Sequence, residues 1–415
     1  MKSNIPNGWK KKKIREFTKT KSGGTPSTFK PEYWENGDVP WLPSGELQNC
    51  ILKKANIFIT KKGLENSAAC LFPTDSILIA LTGATTGKIG YLTFESSGNQ
   101  SITAIFPSKE HYPKYLYYYL QSIYGKIYSM AAGGAQTHIN KAIVDNLEIL
   151  LPPEPEQEKI AEILANVDEN IEETDKIIAE CERIKKGLMQ SLLTRGIPNK
   201  HTKLKMTKLG EIPNEWDVKT LFEITDEMIQ GINTAIDKPE YVSEGIPILK
   251  ANDIIDGNID LNRAEKISQN SFDSYDKRFK ISRGDFLYSN IGARLGSGSL
   301  YCTEQPCAYA WNVIRMNPKK TVVLPEFLSI LMNSPAMLKE IKRIETGSGM
   351  GFVPKKNLEK IKIPVPLIEE QKEICEIIER IENRLSTEKK MLVVLSNTKK
   401  SLMQKLLSGE MLVKV

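Results

Sequence analysis

The residues with a clear chemical use lie in loops rich in glycine, serine, threonine, asparagine and lysine. In the first half of the chain these loops are SGGTPS (22–27), TGATTGK (82–88) and GGAQTHINK (133–141). In the second half they are QGIN (230–233), KAND (250–253), SNIGAR (289–294) and TGSGMGF (346–352). Glycine lets backbone amides approach a phosphate, and Asn, Gln, Arg and Lys provide the hydrogen bonds that distinguish base edges. The loops are therefore candidates for DNA contact, although the same residue types also fill ordinary turns.

We assign DNA contact to individual residues of these loops and to the basic residues beside them. In the first half the candidates are Lys21, Ser22, Gly23, Gly24, Thr25, Ser27, Thr85, Lys88, Gln136, His138, Asn140 and Lys141. In the second half they are Gln230, Asn233, Lys250, Asn252, Asn290, Arg294, Ser348, Met350, Phe352, Lys355 and Lys356.

The sequence contains no catalytic constellation. TGATTGK is close to a phosphate-binding loop, but its glycines are one residue too close and Ile89 stands where Ser or Thr must hold magnesium. Glu340-Ile341-Lys342 has the Glu-x-Lys spacing of some nuclease sites, yet it lies on a predicted amphipathic helix without an aspartate partner on a strand. The three histidines show no metal-ligand spacing. We therefore predict a non-enzymatic chain that holds no metal and no cofactor of its own.

The sequence contains an internal repeat, and this repeat indicates how the loops are positioned. IPNGW (5–9) returns as IPNEW (212–216), VPWL (39–42) as IPIL (246–249), and KKGLMQSLL (185–193) as KKSLMQKLL (399–407). LPPEPEQEKIAEIL (151–164) likewise matches VPLIEEQKEICEII (365–378). Similarity is high at the ends of each copy and fades across 15–140 and 222–345, which contain most of these loops. The layout is therefore a variable domain, a shared helix, a second variable domain and a second shared helix.

The two shared segments are predicted to be long helices that pair with each other. Apolar residues alternate at four and three residues, which is the period of a left-handed coiled coil. We assign the seam to Ile160, Leu164, Val167, Ile171, Ile178, Leu188, Ile374, Ile378, Ile381, Leu385, Leu392 and Leu402. Because each helix leaves its own domain and the connection at 196–211 is short, we expect antiparallel pairing within the chain.

The variable domains mix strand and helix signals, so we predict an α+β fold with two such domains in tandem repeat. The expected strands are 76–81, 89–94, 101–106, 285–289, 299–303 and 308–316, and the expected helices are 115–130 and 326–344. The predicted boundaries are 1–152 for the first domain, 153–197 for the central helix, 198–366 for the linker and second domain, and 367–415 for the distal helix.

Composition limits the class of protein. The hydrophobic fraction of 40% and the charged fraction of 26% are those of an ordinary globular chain. There is no membrane-spanning apolar run, and the lysine-rich start does not have the form of a secretory signal. We expect a cytoplasmic protein whose six scattered cysteines are reduced, buried thiols. The net charge of +6 is mild, but Lys10 to Lys13 and Arg15 form a basic cluster suited to phosphate contact.

Along essentially its full length the chain resembles the specificity subunit of Type I restriction–modification systems. The residues that carry the resemblance are the two IP-N-x-W starts, SGGTPS followed by Tyr33-Trp34 and VPWL, and the LMQ-x-LL helix ends. Between them a glycine-rich loop leads into a strand and the LPP-x-x-EQ motif at 133–157, with a second copy at 347–371.

The resemblance implies that the two variable domains are target-recognition domains. Each reads one half of a bipartite site in double-stranded DNA, and the helices act as a ruler. It also implies that the helices dock two methyltransferase subunits, which bind S-adenosylmethionine and methylate adenine, and that motor and nuclease subunits join through that core. By match to the family, DNA contact falls on the loops 22–27, 133–141 and 347–356; the second domain has QGINT in place of SGGTPS.

Two other functions are also compatible with the sequence. One is the specificity subunit of a fused restriction–methylation enzyme, in which one partner chain both cuts and methylates. The other is a helical adaptor that carries two protein-binding domains and has no role on DNA. Co-purifying subunits distinguish the first alternative, and DNA retention with a steep salt dependence distinguishes the second.

Overall fold

The computed structural model describes residues 5–131, 138–207, 210–255, 257–346 and 351–414. The chain divides into two compact units, unit 1 (Met1–Asp175 with Lys390–Val415) and unit 2 (Lys176–Lys389). Each unit therefore combines one variable domain with part of both shared segments. Within the described residues, no helix is long and apolar enough to cross a membrane.

The first variable domain is built from short strands and short helices. Its strands are β1 (Lys10–Lys13), β2 (Thr20–Ser22), β3 (Val39–Leu42), β4 (Cys50–Leu52), β5 (Ile57–Ile59), β6 (Ile77–Ala80), β7 (Ile89–Leu92), β8 (Ser97–Gly98), β9 (Ile102–Ile105) and β10 (Glu148–Leu151). Its helices are α1 (Ile14–Phe17), α2 (Lys61–Glu65), α3 (Pro113–Ser122), α4 (Tyr124–Ser129) and α5 (Lys141–Asp145). The long helix α6 (Glu154–Leu192) follows.

The second variable domain repeats this plan with changes at the edges. Its strands are β11 (Leu204–Thr207), β12 (Gly210–Pro213), β13 (Asp217–Thr220), β14 (Thr225–Gln230), β15 (Tyr241–Val242), β16 (Ile246–Leu249), β17 (Ile254–Ile255), β18 (Asn258–Ile259), β19 (Glu265–Ile267), β20 (Phe286–Ser289), β21 (Gly298–Leu300), β22 (Ala308–Tyr309), β23 (Val313–Pro318) and β24 (Lys362–Val365). Its helices are α7 (Thr234–Asp237), α8 (Gln269–Ser274), α9 (Pro325–Met332), α10 (Pro335–Ile344) and α11 (Lys355–Leu358). The second long helix is α12 (Ile368–Ser408).

Equivalent sheets occur in the two units. Unit 1 has a five-stranded sheet in the order β2-β9-β6-β7-β4 and a three-stranded sheet β5-β3-β8. Unit 2 has β14-β23-β20-β21 and β15-β19-β16-β22. In both units the repeated VPWL/IPIL strand pairs in parallel with a short later strand, β3 with β8 and β16 with β22. The repeat in sequence is therefore a repeat in topology, and the fold is α+β as predicted.

A Glu-Gln pair near the start of each long helix, Glu156-Gln157 in α6 and Glu370-Gln371 in α12, makes equivalent hydrogen bonds in the two units. The indole N–H of Trp9 donates to Glu156, and that of Trp216 donates to Glu370, at 3.1 and 2.9 Å. The neighbouring Gln157 donates to the carbonyl of Pro152 at 2.9 Å and accepts a hydrogen bond from the Tyr112 amide at 2.8 Å. Gln371 makes the same kind of bonds in unit 2. The repeated motif thus fixes the start of each long helix to its own domain.

The long helices pair antiparallel in both units, as predicted. In unit 1, Lys399 lies 2.5 Å from Asp168. In unit 2, Lys185 lies 2.7 Å from Glu382 and Lys389 lies 2.8 Å from Glu182. Higher numbers on one helix face lower numbers on the other, which is the antiparallel arrangement.

All twelve residues predicted for the seam are at least half-buried. Four of them are fully buried in the domain cores, namely Ile160, Leu164, Ile374 and Ile378. The other eight are half-buried, namely Val167, Ile171, Ile178, Leu188, Ile381, Leu385, Leu392 and Leu402. This gradient is expected where a two-helix pair leaves the domain cores, because only one partner helix then covers each side chain.

Several sequence predictions differ from the structure in detail. The predicted helix 115–130 is two helices, α3 and α4, and 326–344 is split because Pro335 begins α10 after the Ser334 cap. The predicted strand 308–316 is two strands separated by a turn at 310–312. All six cysteines are free thiols, but only Cys181 and Cys307 are buried as predicted. Cys50, Cys70 and Cys375 are half-buried, and Cys302 is exposed.

Candidate nucleic-acid interface

In unit 1 the candidate loops meet at one end of the sheets and form a continuous surface, which we call polar rim 1. It comprises residues 21–30, 43–49, 82–88, 98–101 and 138–141. Hydrogen bonds join these loops directly: Gly24 N–H to Gly98 O at 2.8 Å, Thr82 to Ser101 at 2.8 Å, Thr85 to the Ser44 carbonyl at 3.0 Å and Asn99 to Ser44 at 3.5 Å. A backbone bridge also pairs Thr82 with His138. The structure therefore brings together loops that are far apart in the sequence.

The candidates on polar rim 1 divide by exposure. The exposed ones are Lys21, Thr25, Ser27, His138 and Asn140, and the half-buried ones are Ser22, Lys88 and Lys141. Gly23, Gly24 and Thr85 are buried. Gln136 lies outside the described residues.

The two glycines of SGGTPS have a packing role. A Cβ at Gly23 would lie 2.3 Å from the carbonyl oxygens of Gly98 and Asn99, and one at Gly24 would lie 2.2 Å from the backbone of Ala68. Trp41 also donates its indole N–H to the Gly24 carbonyl at 3.1 Å. These glycines are thus explained by close backbone approach inside the domain.

Other candidates in unit 1 also make contacts within the fold. Asn140 caps α5 by accepting the Ile143 amide at 2.9 Å. Lys141 forms an ion pair with Asp145 at 2.7 Å, and Lys88 donates to Gln48. Part of each side chain's hydrogen-bonding capacity is therefore used locally, and the lysine charge remains at the surface.

Several polar side chains of polar rim 1 were not predicted from the sequence. Exposed Gln48, Asn49 and Gln100, with half-buried Ser44 and Asn99, lie on the same surface as the predicted residues. Thr25 donates to Gln100, which ties two of the loops together. The signal for the segment around Ser44 is its position after VPWL (39–42), because KAND (250–253) follows IPIL (246–249) at the equivalent place in the second half.

Unit 2 has the equivalent surface, polar rim 2, formed by residues 229–237, 250–253, 289–296, 310–312 and 351–356. The joining bonds are Gln230 to the Trp311 carbonyl at 2.7 Å, Ala251 N–H to Asn312 at 3.4 Å, Asn290 N–H to the Asn312 carbonyl at 3.4 Å and Gly292 N–H to Gly351 O at 2.8 Å. A backbone bridge pairs Ile291 with Phe352, at the position that Thr82 and His138 occupy in unit 1. The two rims therefore share one construction.

The candidates on polar rim 2 again divide by exposure. Asn233, Asn252 and Lys356 are exposed, and Gln230, Lys250, Arg294, Phe352 and Lys355 are half-buried. Asn290 is fully buried and donates to the Val353 carbonyl at 3.4 Å, so its side chain holds two loops together. Ser348 and Met350 lie outside the described residues.

Lys250 on polar rim 2 forms an ion pair and a cation–π contact. Its ammonium group lies 2.5 Å from Glu265 and 5.3 Å from the centre of the Tyr241 ring. Tyr241, Lys250, Glu265 and Lys266 line a shallow open depression. The depression carries cationic and aromatic groups together, which suits stacking and phosphate contact.

The rims differ in side chains although they agree in construction. Polar rim 1 carries Thr25, Lys88 and His138. The structurally equivalent loops of polar rim 2 carry Asn233, Arg294 and Phe352. One scaffold thus presents two different sets of donors, acceptors and apolar groups.

Comparison with known proteins gives a consistent result. The family model described as the Type I restriction modification DNA specificity domain matches twice, at residues 6–183 and 213–396. The chain is 28% identical over 417 residues to the Type I restriction enzyme MjaVIII specificity subunit of Methanocaldococcus jannaschii, covering 99% of this chain and 94% of that one. It is 25% identical to the EcoKI specificity subunit of Escherichia coli, covering 98% and 90%.

Solved structures share the fold. The S subunit of a Type I restriction–modification system from M. genitalium matches with a TM-score of 0.60 and 18% identity, covering 98% of both chains. The HsdS subunit from Thermoanaerobacter tengcongensis matches with a TM-score of 0.52 and 17% identity, also covering 98% of both chains.

Proposed function

The chain belongs to the family of Type I restriction–modification DNA specificity domains, and on this premise we propose that it reads a bipartite target in double-stranded DNA. Polar rim 1 reads one half-site and polar rim 2 reads the other. The chain performs no chemistry; methylation and cleavage belong to the subunits that assemble on it.

The observation that carries this proposal is the pair of equivalent rims with different side chains. Base edges in the major groove are distinguished by the pattern of donors, acceptors and apolar groups that faces them. A scaffold that is repeated while its exposed side chains change is therefore suited to reading two different sequences. An asymmetric target follows from this arrangement.

We propose that the long helices set the spacing between the half-sites. Helix α6 contains 39 residues, so it is about 58 Å long at 1.5 Å per residue. Two readers whose centres lie about 34 Å apart, one DNA turn, enter the groove from the same face. A continuous paired helix resists bending, which makes it a suitable ruler.

The helices also offer surfaces for partner subunits. Ile177 and Ile184 on α6 are each 38% exposed, and Met391 and Val394 on α12 are 48% and 58% exposed. Exposed apolar residues at helical spacing are typical of helix-docking surfaces. We assign the docking of two methyltransferase subunits to these surfaces. S-adenosylmethionine is then held by those subunits, and motor and nuclease subunits join through them.

Sequencing of methylated adenines in the host genome tests the proposal directly. We expect methylation at one asymmetric motif with two defined half-sites and a fixed gap, and its loss when this gene is deleted. Motifs that persist after deletion would contradict the proposal. In parallel, the chain co-purified with its methyltransferase should retain a duplex carrying the motif, with affinity that falls steeply with salt. No retention at any salt concentration would favour the protein-binding adaptor.

A further inference from the structure

In both units an apolar side chain is highly exposed in the loop that follows an equivalent strand, β2 in unit 1 and β14 in unit 2. We call residues 28–29 and 236–237 the tips of these loops. Phe29 is 95% exposed and Ile236 is 75% exposed. Single exposed apolar residues are common and need no explanation by themselves. Here, however, an exposed apolar residue recurs in the same loop of a duplicated fold, although the two loop sequences SGGTPSTF (22–29) and QGINTAID (230–237) differ.

Backbone hydrogen bonds establish that the two loops are equivalent. Gly23 and Gly231 donate to Ile102 and Val313, which occupy the same position in β9 and β23. After each tip the chain continues as Lys-Pro-Glu-Tyr, at 30–33 and at 238–241. Thr28 and Phe29 thus correspond to Ile236 and Asp237, so each tip carries one apolar residue at adjacent positions.

Both tips are held rigidly, so their exposure is built into the fold. In unit 1 the Lys30 amide donates to the Ser27 carbonyl at 3.3 Å, which closes a turn with Thr28 and Phe29 at its apex. Trp34 donates its indole N–H to the same carbonyl at 3.1 Å. In unit 2 the amides of Ile236 and Asp237 both donate to the Asn233 carbonyl, at 2.9 and 2.8 Å.

The tips belong to the polar rims. Thr25, four residues before Phe29, donates to Gln100 on polar rim 1. In unit 2 the Ile232 carbonyl accepts the Trp311 amide at 2.8 Å on polar rim 2. Each apolar tip therefore projects beside polar and basic groups, of which Lys30 and Lys238 follow the tips directly in the chain.

We propose that Phe29 and Ile236 contact DNA bases, one in each half-site, and contribute to the sequence that each unit selects. This rests on the proposed function. Phe and Ile are among the side chains that insert between base steps, and apolar groups also recognise the thymine methyl. A rigid turn places such a side chain in the groove without an ordering cost on binding, because the loop is already fixed.

The test selects preferred duplexes from a random library, using the chain co-purified with its methyltransferase. The variants are Phe29→Ala and Ile236→Ala, and the control is Phe222→Ala, a 67% exposed residue outside both rims. We expect Phe29→Ala to bind the preferred duplex roughly tenfold more weakly, since base contacts by apolar and aromatic groups contribute on this scale. Its selection should relax in one half-site only, and that of Ile236→Ala in the other, while the control matches the parent chain.

Modified duplexes distinguish the two modes of contact. Fluorescent 2-aminopurine, scanned through the half-site, brightens where an inserted side chain unstacks it, and the signal should disappear in Phe29→Ala. Uracil in place of thymine removes the methyl and weakens the parent chain if the methyl is the contact. A loss of affinity with neither signature would overturn base contact.

The remaining outcomes separate this proposal from the one on which it rests. If the parent chain selects no DNA, the proposed function fails. If the parent selects a bipartite site and both variants keep its affinity and preference, the function stands and the apolar tips have no role in it. We expect Phe29→Ala and Ile236→Ala to melt at the temperature of the parent chain, because neither side chain is packed. Phe29→Leu keeps an apolar side chain at the tip and should retain most of the affinity for DNA.

Discussion

Trp216 donates its indole N–H to the Glu370 carboxylate at 2.9 Å, and the Glu370 side chain is almost completely buried. The same carboxylate lies 2.7 Å from His201 Nε2 and accepts the Ile197 amide at 3.3 Å. In unit 1 the equivalent Glu156 is half-buried and accepts the hydrogen bond of Trp9. The repeated Trp–Glu pair thus supports more partners in unit 2 than in unit 1.

The first prediction follows from this difference. Glu370→Ala leaves the buried Trp216 indole N–H and the Nε2 of His201 without their acceptor, so it should destabilise the protein by about 3 kcal/mol, whereas Glu156→Ala should cost about 1 kcal/mol. Denaturant unfolding monitored by tryptophan fluorescence measures both. Equal losses in the two variants would show that the additional partners of Glu370 add nothing.

The second prediction concerns pH. His111 is buried, packs edge-on against Phe17 and shares a hydrogen bond of 2.8 Å with Ser108. Burial lowers the pKa of His111 to about 4. The unfolded chain takes up this proton near pH 6.5 and the folded chain does not. The contribution of His111 to the free energy of unfolding is therefore fully present above about pH 6.5. It decreases by about 3 kcal/mol as the pH falls to about 4.

His111→Gln removes the titrating ring and keeps a polar side chain near Ser108. Unfolding free energies measured at several pH values should lose this part of their slope in the variant. A slope identical to that of the parent chain would mean that other groups cause the acid sensitivity.

The third prediction concerns a buried ion pair of unit 2 that has no counterpart at the matching positions of unit 1. Arg315 on β23 lies 3.2 Å from Asp285, and both side chains are nearly fully buried. Asp285 also accepts a hydrogen bond from Asn317 at 3.0 Å. Unit 1 has Ala104 and Ser76 at the matching positions, so the fold does not require the pair.

Asp285→Asn leaves the guanidinium with the half-exposed Glu227 as its remaining counter-charge, and loss of the buried carboxylate should cost about 3 kcal/mol. The double variant Asp285→Ser with Arg315→Ala, which copies unit 1, removes both charges and should be less destabilised than the single variant. Thermal and denaturant unfolding compare them. A double variant that is the less stable of the two would show that the ion pair itself stabilises unit 2.

The sequence was sufficient to predict the duplication, the long helices and most central strands, because these depend on periodic apolar residues and on matched motifs. Interruptions within a helix or strand could not be predicted from the periodicity of apolar residues. Pro335 and the turn at 310–312 divide what periodicity alone reads as one helix and one strand, since an apolar pattern continues across both.

The surface was less predictable than the fold, for a physical reason. Gly23 and Gly24 look like phosphate-binding residues, but their close approach to the backbone of 98–99 and of Ala68 is a tertiary contact that local sequence does not show. Gln48, Asn99 and Gln100 are single polar residues in short connections and carry no pattern. Their place on polar rim 1 depends on how the sheet brings three loops together.

The fourth prediction tests the helix seam. Ile171 and Leu385 are half-buried on α6 and α12. Placing a charge at either position should cost about 2 kcal/mol, because apolar burial is lost and the carboxylate is partly desolvated. Ile171→Asp and Leu385→Asp should therefore melt earlier and recover less methyltransferase on co-purification. Exposed Ile177→Asp is the matched control for stability and should melt like the parent chain. Unchanged melting and assembly in the seam variants would show that the seam is misassigned.

The fifth prediction tests the helices as a ruler. Inserting four residues after Lys176 adds about one helical turn, or about 6 Å. This is close to two base pairs at about 3.4 Å each, so the preferred gap between half-sites should lengthen while both half-sites stay the same. The control inserts the same four residues after Asn199, an exposed residue in the connection between α6 and β11, and should leave the gap unchanged. Methylated-adenine sequencing of cells that carry each variant measures gap and half-sites together. Altered half-sites with a constant gap would contradict the ruler, because the rims alone would then respond to a change in the helix.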